Sequence, residues 1–417
     1  MSFVKPTEHT GFRFSTWRRI REQVAGRPEK AFSQHRGIVA VQVAVALTVM
    51  LGFAALAIDI GRLHLARGEL QRAADASVMA GASGYLTDAG LLVALGEAEW
   101  SGEGELATII NSRAQEYAEQ NPTLGDGTIL ELEDAVKGTY DFDNPSAPLD
   151  TSGGQRFNAL QITVKRTSDS SNGPIPYLFA PILGKSEGGV LASAIAALDD
   201  RFGGYKQTEE YGLLIPFTIH EDIYYDMIVN GPDDFSYDEA TETVSATGDG
   251  VSEITLFPWK LTGSSAGSGN FGLLHVGNPG GGLAKVNEQI NHGIAPADLE
   301  AEVGTSELTF VDSGGDPITY DVSGDPGMKR ACEAAVLSRM GEIVGFFLHD
   351  YVTFDGAVTI YRIVDLRFGR VMHIDLTGAP STKRLVLQPV AYTGPGVIVI
   401  EDAPSSDGQV GVVVLVR

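Results

Sequence analysis

The sequence predicts an α+β protein with a long N-terminal transmembrane helix, a small antiparallel sheet region and a strand-dominated ectodomain. Three observations support this fold class. Residues 38–58 form an uncharged apolar run, and the charges of the segment after it follow helical spacing. The last 60 residues consist of β-branched runs separated by turn residues.

The first element is a membrane span. Ile38 to Ile58 contains 21 residues without a charge, and only Gln42 and Thr48 are polar. A helix of that length extends about 31 Å, close to the thickness of the hydrocarbon core of a bilayer. The alternative is a cleaved signal, but its apolar core is usually about 7–15 residues long and is not followed directly by helix-compatible sequence. We therefore expect a retained, single-pass helix.

The charge distribution predicts the orientation of this span. Residues 1–36 carry eight Lys/Arg and three Asp/Glu, whereas the rest carries 22 and 51. Cations on the N-terminal flank favour a cytoplasmic N-terminus, so we expect a single-pass membrane protein with its acidic body outside the cytoplasm. That body would repel nucleic acid, which we exclude as a partner.

The second element continues the helix beyond the span. Asp59 and Arg62 are three residues apart, as are Glu69 and Arg72, so each pair shares a helical face. Small residues recur along the whole helix and would let another helix or a sheet approach closely. These predicted packing residues are Ala40, Ala44, Thr48 and Gly52 in the span and Ala66, Ala73 and Ala80 beyond it.

The run "GIVAVQVAVALTVMLGFAALAIDIGRLHLARGELQRAADASVMAGA" (37–82) resembles the N-terminal segment of the TadE/TadG-like Flp pilus-assembly family. The resemblance implies a bacterial envelope protein, held in the inner membrane by this span, with a pilin-like architecture and no enzymatic activity. Pilin-like precursors cleaved by prepilin peptidase carry Gly at the cut and Glu five residues later. Here Gly37 is followed by Gln42, which lacks the carboxylate, so we expect little or no processing at Gly37.

Residues 86–200 read as a pilin-like α+β region. We expect a loop over 86–104 and an amphipathic helix over 105–120, ended by "NPTLGDG". Alternating or β-branched content predicts strands at "TILELEDAV", "KGTYDF" and "NALQITVKR".

A boundary is expected in "DDRFGGYKQ" (199–207), where charges and paired glycines occur. It would separate four parts: a basic tail (1–36), the transmembrane helix and its continuation (37–85), the pilin-like region (86–200) and a β-rich ectodomain (201–417). Within the ectodomain we expect helices over 283–291 and 328–343. Its pieces "GNFGLLHVGNPGGG", "GDPGM" and "LQP" are similar to larger TadG-like ectodomains, which have no assigned activity.

No motif predicts a cofactor, a metal site or a catalytic centre. Leu283 and Ala284 follow Gly282 where a P-loop requires Lys and Ser or Thr. "DSGGD" (312–316) and "DLTGA" (375–379) lack the Asp-x-Ser-x-Ser of a von Willebrand A metal site. Five histidines follow residue 200 and form no His-Glu-x-x-His motif, and Cys332 is the single cysteine.

These observations favour a membrane-anchored structural or assembly protein of an Flp (tight-adherence) pilus or a related adhesion apparatus. It would act through helix packing and ectodomain contacts with other envelope or pilus-assembly proteins, the lipid bilayer and copies of itself. The alternative is a membrane-tethered exported hydrolase that uses the C-terminal domain. A deep polar cleft with converging His, Asp and Ser or Cys332 would favour that enzyme.

Overall fold

One continuous helix, α1 (His35–Ala82), contains both the apolar run and the segment that follows it in the computed structural model. Good helix formers dominate this stretch, and it contains no proline. The helix passes into a 3₁₀ turn at Ser83–Leu86, after which the Thr87 hydroxyl accepts a hydrogen bond from the Gly90 amide and caps the next helix. The continuous helix predicted over residues 37–85 is confirmed as far as Ala82, where the 3₁₀ turn begins.

The structure describes residues 35–416 except 97, 99, 101–102, 153–155, 209–211, 257–270, 278–281, 356–357 and 379–382. Residues 1–34 of the predicted basic tail (1–36) and residues 278–281, which precede Gly282, lie outside the described residues. The chain divides into two compact units. The first contains the described residues up to Arg62 together with Pro176–Glu187, and the second contains Leu63–Ile175 and Gly188–Arg417.

Six further helices are found among the described residues. They are α2 (Asp88–Leu95), α3 (Glu105–Glu119), α4 (Glu221–Asn230), α5 (Leu283–His292), α6 (Pro296–Val303) and α7 (Glu333–Leu337). The helices predicted over 105–120 and 283–291 are confirmed. The loop predicted over 86–104 is wrong in part, because Thr87 caps α2 within it.

The predicted helix over 328–343 is also wrong in extent. A 3₁₀ turn at Arg330–Cys332 leads into the five residues of α7, and Gly341 has a φ of +81°, in the left-handed region. A right-handed helix cannot pass through that conformation.

The first sheet lies in the second unit and has the order β1 (Ala135–Gly138), β2 (Ala159–Arg166), β5 (Val190–Asp199) and β18 (Val412–Leu415). All of its pairings are antiparallel. Residues of α1 and α3 pack with this sheet in one buried apolar cluster that includes Leu70, Ile110, Leu160 and Ala194. The expected strand "TILELEDAV" is wrong over most of its length, because Leu132–Asp134 forms a 3₁₀ turn and pairing starts at Ala135.

The remaining strands build a larger sheet and three small ones. They are β3 (Ile175–Pro176), β4 (Glu187–Gly188), β6 (Phe202–Lys206), β7 (Leu214–His220), β8 (Ser236–Asp238), β9 (Thr243–Ser245), β10 (Ile254–Leu256), β11 (Phe271–Leu274), β12 (Glu307–Thr309), β13 (Tyr320–Pro326), β14 (Ile343–Asp355), β15 (Val358–Asp375), β16 (Arg384–Pro389) and β17 (Val397–Val399).

The larger sheet has the order β10-β16-β15-β13-β11-β7-β14, and β14 also pairs with β15. Strands β15, β13, β11, β7 and β14 therefore form a closed ring, in which the β7–β14 pair is parallel and the others are antiparallel. The small sheets are β12-β6-β17, β3-β4 and β8-β9. The α+β fold class is confirmed. The boundary predicted at residues 199–207 contains β6, and the four-part division stays a prediction.

Candidate membrane anchor and helix-packing site

The N-terminal part of α1 is long and apolar enough to cross a membrane. A core helix of a soluble protein can have the same composition, but its side chains would be covered by protein. None of the most apolar window is buried here, and Met50 and Phe53 are 71% and 68% exposed. Such a continuous apolar surface is stable only when something apolar covers it.

The small-residue stripe of the span belongs to this uncovered surface. Ala40, Ala44, Thr48 and Gly52 are all exposed, and no atom lies within 4 Å of a Cβ placed on Gly52. The Thr48 hydroxyl donates to the Ala44 carbonyl at 2.8 Å. Because this bond satisfies the hydroxyl within the helix, Thr48 is compatible with an apolar environment.

Two residues of the predicted processing site lie at the start of α1. The helix begins at His35 and therefore already includes Gly37. Gln42 is exposed on the apolar part of the helix. The structure thus shows where both residues lie, and the absence of processing stays a prediction.

Beyond the span, the small residues of α1 pack within the second unit. Ala66 and Ala73 are fully buried, and Ala80 is half-buried. The closest approach is at Gly81, where a Cβ would lie 2.4 Å from Leu160 Cδ2 and 3.1 Å from the Ala114 Cβ. The helix is therefore seated on the chain's own β2 and α3, which leaves no room for a larger side chain at this position.

Polar side chains fix the register of this contact. The Gln71 amide donates to the Ser193 carbonyl at 3.2 Å and to the Asp75 carboxylate at 2.8 Å. Glu69 accepts a hydrogen bond from the Leu124 amide at 2.7 Å, whereas its predicted partner Arg72 is 4.0 Å away. Gln71 and Glu69 thus attach this part of α1 to other segments of the chain.

A buried tyrosine closes the same interface at the end of α1. The Tyr85 hydroxyl donates to the Ala159 carbonyl at 2.9 Å, and the ring is only 4% exposed. Burial raises the pKa of Tyr85 far above its usual value, so the hydroxyl stays protonated and remains a donor.

A second polar contact lies in the first unit, where the apolar run ends. The Asp59 carboxylate is 2% exposed and accepts hydrogen bonds from three successive backbone amides. The distances are 2.8 Å from Leu178 N, 3.1 Å from Phe179 N and 2.7 Å from Ala180 N. The spacing of Asp59 and Arg62 predicted a helical pair and gave no sign of this role, because the amides lie about 120 residues later in the chain.

The residues that could suggest catalysis occupy structural positions. Cys332 is fully buried among apolar residues that include Val286 and Ile290, and burial raises the pKa of its thiol. A raised thiol pKa disfavours the thiolate that a nucleophile requires. His349 is fully buried, and its Nδ1 lies 2.8 Å from the Thr218 hydroxyl.

The other histidines with described partners are also held in the fold. His275 Nε2 lies 3.0 Å from the Asp325 carboxylate, and the His373 ring stacks on Phe235. Among the described residues, no group of three or more His, Cys, Asp or Glu side chains is arranged to hold a metal ion.

Two protein-family models match regions in the N-terminal half of the chain. Residues 39–84 match the family model described as "Putative Flp pilus-assembly TadE/G-like". This segment is TadE/G-like. Residues 99–196 match the model described as "Putative Tad-like Flp pilus-assembly", which covers α3 and most of the four-stranded sheet. The two matches confirm the resemblance recognised in residues 37–82.

The matched regions coincide with the packing site. The TadE/G-like segment contains the apolar run and the buried face of α1, and the second region contributes β2, β5 and α3 beneath that face. Pilus-assembly families of this kind are typically structural. Neither a curated protein nor a solved structure matches the chain.

Proposed function

We propose that this chain is a single-pass inner-membrane protein with a structural or assembly role in an Flp (tight-adherence) pilus or a related adhesion apparatus. The observation that carries the proposal is the pair of Flp pilus-assembly matches on one helix and the sheet beneath it. Residues 38–58 anchor the chain, and residues 60–417 lie outside the cytoplasm. The protein acts through contacts with other pilus or envelope proteins and copies of itself, and not through catalysis.

The two parts of α1 have different tasks in this proposal. The part in the second unit is covered by β2 and α3, so it holds the folded domain on the helix. The small-residue stripe in the span is uncovered, and small side chains allow close helix–helix approach in lipid. We assign partner packing to this stripe. The burial of Cys332 in an apolar core gives no support to the alternative of an exported hydrolase.

A crosslinking experiment in membranes tests the packing face. A photoreactive amino acid is placed at Ala44, on the stripe, or at Ala46, which lies two residues along and about 200° around the helix. Both positions are exposed alanines, so they are matched in size and environment. We expect a crosslink from Ala44 to a pilus-assembly protein or to a second copy, and a much weaker one from Ala46. Equal labelling at both positions would refute a specific packing face.

Protease accessibility tests the topology. Because cations flank the N-terminal side of the span, protease added to spheroplasts should digest the body and spare only the tail and the span. A periplasmic protein and a cytoplasmic protein serve as controls for digestion and for lysis. Full protection of the body would contradict the proposed orientation.

A further inference from the structure

The first unit contains an exposed apolar loop in addition to the span. The segment "YLFAPILG" (177–184) carries no charge and includes a 3₁₀ turn at Ala180–Leu183. Four of its side chains are exposed: Leu178 by 58%, Phe179 by 40%, Ile182 by 86% and Leu183 by 78%. Four large apolar side chains within six residues form a patch that is unfavourable in water.

Most backbone amides of this loop have a hydrogen-bond partner within the chain. Tyr177 N donates to Ser186 O, Ile182 N to Phe179 O, Gly184 N to Pro181 O and Lys185 N to Ala180 O. Asp59 accepts the amides of residues 178, 179 and 180, and Pro181 has no amide hydrogen. The loop therefore combines exposed apolar side chains with backbone amides that mostly have partners within the chain, which lowers the cost of moving this segment out of water.

The position of the loop along α1 is fixed by the same carboxylate. Asp59 directly follows the uncharged run that ends at Ile58, so its side chain lies where the span leaves the hydrocarbon. Its hydrogen bonds of 2.7–3.1 Å hold the backbone of Leu178–Ala180 at that level. Charge-assisted bonds to three consecutive amides define the position of the loop more closely than one neutral bond would.

We propose that residues 177–184 insert into the outer leaflet of the membrane beside the span, as a second membrane contact of this chain that Asp59 positions. The apolar side chains enter the boundary between headgroups and acyl chains, in the way that interfacial segments do. The span and this loop together restrain the tilt and rotation of α1 in the membrane more than the span alone would. The proposal rests on the membrane anchoring argued above, and its test separates the two.

The experiment uses the full-length chain in phosphatidylcholine vesicles, with an environment-sensitive fluorophore on one introduced cysteine. The background is Cys332→Ala, because that thiol is the only native one. The label is placed at Ile182→Cys in the loop, at Val49→Cys in the middle of the span or at Ser146→Cys on an exposed polar loop. Quenchers are iodide in the water and lipids brominated near either end of the acyl chain.

We expect the Val49 label to be quenched by the deep bromolipid and the Ser146 label by iodide. The Ile182 label should be quenched about twofold more by the shallow bromolipid than by the deep one and should be protected from iodide, as expected for a depth of about 5–10 Å. Iodide quenching at Ile182 with an unchanged Val49 label would overturn the loop insertion and leave the anchor intact. Iodide quenching at Val49 would instead contradict the anchor itself. Protection of Ile182 from every quencher would show that protein covers the loop, and this would also overturn the proposal.

The Asp59→Asn variant tests the positioning. Asn offers one acceptor oxygen where the carboxylate offers two, so at least one of the three amides loses its partner. Shallow quenching at Ile182 should fall in this variant, while the Val49 label stays unchanged. Equal quenching at Ile182 with and without the carboxylate would overturn the role assigned to Asp59.

Discussion

The close packing of α1 on the chain's own sheet can be tested by the substitution Gly81→Val. Gly81 is buried between β2 and α3, and its position leaves no space for a side chain. Gly68 lies on the same helix and is exposed, with no atom within 4 Å of a placed Cβ. Gly68→Val therefore introduces the same side chain into the same helix without a steric conflict.

The magnitude follows from three contacts. A Cβ on Gly81 would lie 2.4 Å from Leu160 Cδ2, 3.1 Å from Ala114 Cβ and 3.2 Å from the Ile110 carbonyl oxygen. Carbon atoms in contact normally lie about 3.5–4.0 Å apart, so α1 or its neighbours must move. Overpacking of this kind costs about 1–3 kcal/mol, whereas replacing Gly by Val in a helix recovers only a few tenths. We expect Gly81→Val to lower the free energy of unfolding by about 1–3 kcal/mol and Gly68→Val to change it by a few tenths.

Hydrogen exchange of the full-length chain in detergent measures this locally. Amides of α3 (Glu105–Glu119) should exchange roughly 5- to 150-fold faster in Gly81→Val, which is the same free-energy range expressed as a rate ratio. In Gly68→Val they should exchange at nearly the wild-type rate. If both variants match the wild type, α1 is not seated on α3 and Leu160 as the structure has it. If both are equally destabilised, valine acts through helix propensity and not through packing.

Three further predictions concern other sites. The mass of the purified chain should include residues upstream of Gly37, because Gln42 lacks the carboxylate of pilin precursors, and a mature protein that starts at Ile38 would contradict this. Tyr85→Phe should cost about 0.5–1.5 kcal/mol in urea unfolding, because the buried Ala159 carbonyl loses its donor, and an unchanged stability would argue against that bond. Burial acts to raise the pKa of Asp325, but hydrogen bonds to Lys329 and His275 outweigh it and lower this pKa from 3.8. The ionised carboxylate therefore stabilises the fold above pH 3.8, and this contribution is lost as the pH falls through the folded-state pKa. Asp325→Asn should flatten the loss of stability below about pH 4, as followed by near-ultraviolet circular dichroism at each pH, and an identical pH profile would contradict the assignment.

Features with a local signal can be predicted from the sequence of this protein alone. The length and composition of residues 38–58 predicted an apolar helix long enough to cross a membrane, because this signal lies in neighbouring residues and needs no distant partner. The helical spacing of apolar residues over 105–120 predicted α3, whose buried residues include Leu106, Ile110 and Ala114. Tyr117, expected on the same face, is 45% exposed. The motif at residues 37–82 predicted the family that the comparison found. In each case the neighbouring residues alone carry the information.

Local patterns misled where tertiary contacts compete with them. The alternation of "TILELEDAV" is typical of a strand, yet pairing with β2 begins only at Ala135. The helical spacing over 328–343 stops after α7, where the Arg339 guanidinium donates to the carbonyls of Gly212 and Ile290. These contacts involve other parts of the fold, so no window of sequence contains them.

Contacts between segments that are distant in the sequence are visible only in the folded chain. Residues 412–415 (β18) pair with β5, which lies more than 200 residues earlier, and form the edge of the sheet opposite β1. The sequence spacing predicts that Asp59 forms a helical ion pair with Arg62. In the structure its carboxylate instead accepts hydrogen bonds from the amides of residues 178–180. Both kinds of contact use backbone groups of the partner segment, and every residue other than proline carries them. The side chains of that segment therefore do not show that it is the partner. The sequence therefore shows that residues 177–184 are apolar, whereas only the fold shows that they lie beside Asp59, at the end of the apolar run.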